Sequence, residues 1–192
     1  AFTGLIVINF FSGSTTQALT SVVGNGSLLN KMQLPFSIFP ISMIAANVFQ
    51  FCVGSLPLLI AIAFWKSGSL FNAVAILLPF SALVLICTGI GFLVSALYVF
   101  FRDLPFFYEL VSFALWISSP VFYPSDIVPP KVKVFLLFNP LATVIESIRQ
   151  ISLSGEFPNF SLIASAWLSS VILLVFGWVC FNWWKPNFMD LL

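Results

Sequence analysis

Long runs without a charged side chain dominate this sequence. Residues 32–65, 67–101 and 157–184 contain no Asp, Glu, Lys or Arg. Each run exceeds the roughly 20 apolar residues that a helix needs to cross a hydrocarbon core of about 30 Å. A charged side chain costs about 2.5–3.5 kcal/mol at the bilayer centre, so the charges mark where the chain reaches the membrane surface. The pattern predicts an all-α protein that crosses the membrane several times.

Five spans follow from these runs and from the polar breaks between them. We predict them at residues 2–23, 40–64, 71–100, 105–123 and 160–182. Pro57 is expected to kink the second span, because proline removes a backbone donor and clashes with the preceding turn. In the third span, Thr88, Gly91 and Ser95 fall on one face, and such a stripe of small residues is typical of helix packing.

The first predicted span is less apolar than the others. Its polar residues are Asn9, Ser12, Ser14, Thr15, Thr16 and Gln17. This density of polar side chains indicates a span that faces other helices or an aqueous path rather than lipid. Hydrogen bonding between helices through the hydroxyl groups explains the same pattern equally well, and the sequence leaves both readings open.

The segment 124–158 is rich in proline yet too apolar for a simple solvated loop. Asn139 followed by Pro140 is typical of an N-cap and a first helical residue. Glu146 and Arg149 form an i, i+3 pair opposite an apolar face, whose residues are Leu141, Val144, Ile145 and Ile148. A second short apolar helix is predicted at 132–138, and two such short helices fit a re-entrant or interfacial hairpin.

Composition agrees with a membrane protein and excludes several functions. Sixty per cent of the residues are hydrophobic and 7% are charged, against about 25% charged in a soluble domain. The net charge of +1 and the lack of a basic cluster exclude a nucleic-acid partner. The sequence has no His, which removes the usual metal ligands and general bases. It also has no G-x-x-x-x-G-K-[ST] phosphate loop, so it cannot hydrolyse ATP by that route.

Three groups of residues occur in order around the predicted spans. The first lies between the first and second spans and comprises Leu28, Leu29, Asn30, Lys31 and Pro35. The second follows the third span and comprises Arg102 and Asp103. The third comprises the run Ser119-Pro120-Val121-Phe122-Tyr123-Pro124, then Asn139-Pro140-Leu141 and Glu146-Ser147-Ile148-Arg149. In this order, and with the tail Trp184-Lys185-Pro186-Asn187-Phe188-Met189-Asp190, the chain resembles the membrane subunit of ABC exporters of surface polysaccharides (O-antigen, teichoic acid and capsule).

The resemblance implies a single transmembrane permease domain over residues 1–192. Members of this family have six spans and a cytosolic amphipathic N-terminal helix. We therefore expect that this chain lacks that helix and the first span. The family also commonly carries an arginine and a glutamate where this chain has Phe36 and Ser37.

The resemblance assigns roles to the three groups. The first group is expected to form a cytosolic coupling helix that docks on an ATPase subunit. The expected interface or gating residues are Arg102, Asp103, Glu146 and Arg149, with two re-entrant gate helices on the outer side. Because the charges divide almost evenly between the two faces, they do not fix the orientation, and we take it from the resemblance.

The implied function is that of a transmembrane permease, not an enzyme, in an ATP-driven exporter of lipid-linked polysaccharide. Its expected partners are two copies of an ATP-binding cassette subunit, which would hold ATP and Mg²⁺, and a second copy of itself. No cofactor is expected on this chain. Its expected location is a bacterial plasma membrane, the inner membrane in a Gram-negative cell, where lipids surround it.

Aromatic side chains are candidates for the sugar path, because sugars stack on aromatic faces through their C–H surfaces. The candidates are Phe10, Phe11, Trp116, Phe122 and Tyr123. Two other functions fit the same features: an ABC exporter of drugs or small lipids, and a membrane scaffold that transports nothing.

Overall fold

The computed structural model describes residues 2–26, 35–68, 74–119, 139–154 and 160–188, and in these residues all regular structure is helical. The helices are α1 (Phe2–Gly24), α2 (Ile38–Gly54), α3 (Leu56–Ser67), α4 (Leu77–Phe100), α5 (Leu104–Ser118), α6 (Pro140–Arg149) and α7 (Phe160–Trp184). A π-helical turn, Gln150–Ser154, continues α6, and a 3₁₀ turn, Lys185–Asn187, follows α7. The predicted all-α fold is confirmed.

Within the described residues, three helical units are long and apolar enough to cross a membrane. They are Ile38–Trp65, Leu77–Phe100 and Phe160–Asn187. α1 has 23 residues, but its polar side chains make it less apolar than these three. α5 is apolar but has only 15 residues, which gives about 22 Å of helix. Spans at α1 and α5 therefore stay predictions.

The predicted interruption near Pro57 occurs as a one-residue break between α2 and α3. α2 ends at Gly54, Ser55 forms a turn, and Pro57 lies in the first turn of α3. This position suits proline, because the first backbone N–H groups of a helix have no partner within it.

α4 is the central helix of the bundle. It packs most extensively against α7 and α1 and also contacts α2, α5 and α6. In the most apolar stretch of 18 residues in α4, 56% of the residues are buried. The corresponding shares are 17% in the α2–α3 unit and 22% in α7. The outer face of α7 is apolar and exposes Leu168, Val171, Ile172, Val175, Phe176, Trp178 and Val179. Such a face suits lipid.

Glycines let the neighbours of α4 approach its backbone. A Cβ on Gly89 would lie 2.5 Å from the carbonyl oxygen of Leu173 in α7, and a Cβ on Gly177 would collide with the carbonyl of Gly89. On another face, a Cβ on Gly91 would come within 2.9 Å of Ile44 Cδ1. Ser95 is fully buried. The predicted packing role of Gly91 and Ser95 is confirmed, while Gly89, which makes the closest approach, lies outside the predicted stripe.

α6 is amphipathic, as predicted. Its apolar face is buried and consists of Leu141, Val144, Ile145 and Ile148. The predicted N-cap is also confirmed, because the side chain of Asn139 accepts a hydrogen bond from the backbone N–H of Leu141 at 3.0 Å. The same side chain donates through Nδ2 to Ser119 Oγ at 3.1 Å. Asn139 therefore joins the start of α6 to the end of α5.

Gly177→Ala is expected to destabilise the protein by about 1–3 kcal/mol, the usual cost of overpacking, because the new Cβ collides with Gly89. Gly54→Ala is the matched control, since Gly54 is also helical and has nothing within 4 Å of its Cβ position. Thermal unfolding of both variants in detergent measures the difference. Equal melting temperatures would contradict the close contact between α4 and α7.

Asn139→Ala should destabilise the protein more than Ser119→Ala. The first change removes the helix cap, worth about 1 kcal/mol, as well as the hydrogen bond to Ser119, worth about another 1 kcal/mol. The second change removes only that hydrogen bond. Denaturant unfolding in detergent compares the two, and a larger loss for Ser119→Ala would show that the cap contributes nothing.

Candidate functional site

α1 presents a strip of polar residues at the protein surface. Asn9, Thr16, Gln17 and Thr20 are exposed, with half-buried Ser12 beside them. The exposed face of α7 is apolar by contrast. Because hydrocarbon offers a polar group no hydrogen bond, this strip is suited to water, protein or a polar cargo rather than to lipid.

The other polar residues of α1 lie inside the bundle. Thr15 Oγ1 donates to the carbonyl of Phe11 at 2.7 Å, and Ser21 Oγ donates to the carbonyl of Ala18 at 2.6 Å. The carbonyls of the same helix therefore satisfy these two hydroxyls, and these are not the bonds between helices that one reading of the sequence expected. The outward-facing strip fits the other reading, a helix with a face that does not meet lipid.

The strip continues onto α2 through a hydrogen bond between side chains. Asn47 Nδ2 donates to Gln17 Oε1 at 2.7 Å and also to the carbonyl of Met43 at 2.9 Å. Gln50, one turn further along α2, is exposed. α1 and α2 therefore share one polar surface.

On its other side the strip borders a groove between α1 and α5. The groove comprises two adjoining cavities of about 340 Å³ and 390 Å³. Three residues line both of them: Ser12, Glu109 and Ser112. The first cavity is also lined by Asn9, Phe11, Phe113 and Trp116, and the second by Thr16, Thr20 and Tyr108. Among these lining residues Glu109 alone is charged. The groove combines one carboxylate and several hydroxyls with aromatic walls, a mixture typical of ligand sites.

Two of the predicted aromatic candidates meet in this groove. Trp116 is half-buried and stacks with Phe113, with ring centroids 6.2 Å apart and planes at 16°. Phe11 lines the same cavity but is itself almost fully buried. Phe122 and Tyr123 lie outside the described residues.

Phe10 points to a different part of the molecule. Its ring packs against Phe51 at 5.0 Å and Phe80 at 5.5 Å, and those two rings stack at 4.4 Å. Only 8% of Phe10 is exposed. The structure therefore separates Phe10 from Trp116 and gives it a packing environment.

Sequence reasoning did not select Glu109 and Ser112 as site residues. A signal for them exists, because Glu109, Ser112 and Trp116 follow one another at i, i+3 and i+7 and so share one face of α5. A carboxylate and a hydroxyl in line with a tryptophan on a short apolar helix indicate a surface that does not face lipid.

One of the predicted coupling residues, Pro35, is described, and it is exposed just before α2. Leu28, Leu29, Asn30 and Lys31 fall outside the described residues. Arg102 and Asp103 are exposed in the turn between α4 and α5. The rings of Phe100 and Trp184 lie 6.0 Å apart, which brings Arg102 and Lys185 to the same end of the bundle.

Two of the predicted interface or gating residues, Glu146 and Arg149, belong to α6. Arg149 Nη1 contacts Glu146 Oε2 at 3.5 Å, and both side chains are largely buried. α6 begins deep in the bundle, because Asn139 lines a cavity of about 370 Å³ together with Ile90 and Leu173. Those two residues lie at the middles of α4 and α7.

No family model matches this chain, but several described proteins are similar to it over almost its whole length. The O-antigen export system permease protein RfbA of Klebsiella pneumoniae is 30% identical over 201 residues, which cover 99% of this chain and 73% of that protein. Another Klebsiella pneumoniae protein of the same description is 30% identical over 192 residues with the same coverage. The RfbA permease of Myxococcus xanthus is 24% identical over 181 residues, or 90% of this chain and 67% of that protein.

These relatives confirm the resemblance that the sequence motifs indicated, and they confirm a bacterial membrane as the location. In an ABC exporter of this kind, ATP hydrolysis belongs to a partner subunit. In the described ranges, no group of three or more His, Cys, Asp or Glu residues could hold a metal ion. The chain belongs to the family of O-antigen export system permeases, the membrane subunits of ABC exporters.

Proposed function

We propose that this permease moves a lipid-linked polysaccharide of the O-antigen type, and that the polymer passes along the groove between α1 and α5. The observation that carries this proposal is the polar strip of α1 facing Glu109, Ser112 and Trp116 of α5. Among the described residues this groove is polar with aromatic walls, whereas the outer face of α7 is apolar.

The chemistry of the groove suits a sugar polymer that must slide. The hydroxyls of Ser12, Thr16 and Ser112 both donate and accept hydrogen bonds, and the carboxylate of Glu109 accepts them. Trp116 offers a flat apolar face to the C–H surface of a sugar ring. Such contacts are individually weak, so they hold a repeating polymer without trapping it.

Two copies of the chain are proposed to close the path. The groove opens to the outside of the single chain, so one copy forms only part of a wall. α5 buries only Tyr108 and leaves apolar residues on several sides exposed, namely Phe106, Phe107, Leu110, Val111, Phe113 and Ile117. A facing copy would cover part of this surface and complete the channel, and two ATPase subunits would then bind the dimer.

α6 is proposed as one arm of a re-entrant gate on the outer side. It has ten residues, too few to span a bilayer, and its capped start lies at mid-depth beside Leu173. Irregular backbone at that depth is tolerated where protein buries it. Asn139 meets this requirement, because it is buried and hydrogen-bonded to Ser119.

The segment from Leu28 to Pro35 is proposed to couple ATP hydrolysis to transport. Pro35 lies at the same end of the bundle as Arg102 and Lys185, and we assign this end to the cytosol. Differential contact of this segment with the ATPase subunit in its two states would shift the permease between closed and open forms.

Trp116→Ala is expected to lower export about two- to tenfold, because one aromatic contact is worth about 0.5–1.5 kcal/mol. Trp116→Phe should stay close to wild type, since a ring remains. Export of radiolabelled polymer into inverted vesicles, normalised to the amount of complex, measures the effect.

Trp178→Ala is the matched control for Trp116→Ala, because Trp178 is 54% exposed on the apolar outer face of α7. It should leave export unchanged. Equal export by Trp116→Ala and wild type would remove the groove from the path.

Lys31→Glu and Asn30→Pro should abolish export and weaken binding of the ATPase subunit, while the chain still inserts into the membrane. Lys66→Glu is the matched charge reversal and should have little effect. Lys66 lies in the loop predicted between the second and third spans, on the opposite side of the membrane from Lys31. Co-purification with the ATPase subunit and an export assay give the readouts. Normal export by the Lys31 and Asn30 variants would refute a coupling role for this segment.

A further inference from the structure

We propose that Phe188 is a positioning residue that connects the coupling segment to α4 and α7, so that a movement imposed by the ATPase subunit reaches the core of the permease. This inference rests on the coupling role proposed above and adds to it the residue that passes the movement on.

Phe188 lies beyond the end of α7 and yet is fully buried. The 3₁₀ turn Lys185–Asn187 continues the helical path of α7, because Trp184 and Phe188 on either side of it have α-helical backbone angles. Pro186 lies in the first turn of this short helix, where its fixed φ is compatible with helix, and the N–H of Phe188 bonds to the carbonyl of Lys185. Phe188 therefore lies on the same face as Phe181 and packs against the end of the bundle.

The ring of Phe188 contacts aromatic residues from three parts of the chain. Its centroid lies 5.5 Å from that of Phe36, 5.4 Å from that of Phe181 in α7 and 6.1 Å from that of Phe100 in α4. The interplanar angles are 82°, 77° and 63°. These edge-to-face contacts are the arrangement that aromatic pairs prefer.

An aromatic cluster is formed by Phe36, Phe100, Phe181 and Phe188. A movement of the coupling segment would reach this cluster first at Phe36. It is buried in the turn directly after Pro35, and the N–H of Phe39 reaches its carbonyl at 3.4 Å. A displacement of the coupling segment must therefore shift Phe36 or strain this turn. Because a close-packed interior transmits strain, Phe188 passes the shift to the ends of α4 and α7.

Those ends lead to the contact that organises the bundle. Phe181 packs on Phe92 of α4 at 5.1 Å, one turn from Gly89, and Gly177 lies one turn before Phe181. The aromatic cluster and the close contact between α4 and α7 are thus successive layers of one interface. A shift at Phe188 acts directly on the interface between α4 and α7.

The test is the number of polymer molecules exported per ATP hydrolysed by the complex of permease and ATPase subunit in proteoliposomes. For Phe188→Ala we expect the ATPase subunit to remain bound, ATP hydrolysis to continue, and this ratio to fall at least about fivefold, the lower end for coupling between sites. Phe188→Leu keeps apolar volume in the cluster and should recover part of the ratio.

Phe80→Ala separates positioning from simple loss of packing. Phe80 also belongs to α4 and is 5% exposed, but it packs in a different cluster, where its ring stacks on Phe51 at 4.4 Å. Its melting temperature should fall about as much as that of Phe188→Ala, while export per ATP stays near wild type. Phe36→Ala should match Phe188→Ala, and the double variant should be no worse than either, because both changes break the same link.

Two results would overturn the inference while leaving the proposed function intact: an unchanged ratio in Phe188→Ala, or an equal fall in Phe188→Ala and Phe80→Ala. A wild-type chain that binds no ATPase subunit would overturn the proposed coupling and this inference together. The wild-type measurement therefore distinguishes the two failures.

Discussion

The backbone contact between α4 and α7 at Gly89 and Gly177 is the constraint on which the arrangement of the other helices depends. Apolar side chains gain little by leaving lipid for a protein interior, so helices in a membrane associate mainly through close packing. Two glycines that face each other let the backbones meet without side chains between them. Gly91 allows a similar approach of α1 and α2 to another face of α4. α4 thereby becomes the axis of the bundle.

The position of the groove follows from this packing. The apolar side of α1 packs against α4, so the polar strip of α1 faces outward. α5 covers one edge of this strip. α5 itself is attached mainly through Tyr108 and its neighbours. The groove is therefore built on the best-packed part of the bundle and bounded by one of its least buried helices. This combination suits a path that must open to admit a polymer.

Some hydroxyl groups of the described residues bond to their own helix, and some line the groove. Thr88, Ser95, Ser147 and Ser170 donate to carbonyls of their own helices, as Thr15 does in α1. A hydroxyl in a predicted span is thus weak evidence for a site, because the helix backbone satisfies it locally. Longer polar groups are more informative, since Gln17 and Asn47 reach across to each other.

The sequence alone determined the class of the protein, its principal spans, the cap at Asn139 and the apolar face of α6, because each of these depends on local rules. Charges cannot enter hydrocarbon, asparagine before proline begins a helix, and residues at i, i+3 and i+4 share a face. The order of the motifs along the chain also indicated the family. Only the tertiary structure decided that Phe10 packs in the core while Trp116 faces the groove, that Gly89 meets Gly177, and that Phe188 is buried against the bundle. The physical reason is that a membrane protein is apolar both inside and outside. Hydrophobic periodicity then shows which residues share a helix face, but not whether that face meets lipid, another helix or the transported polymer.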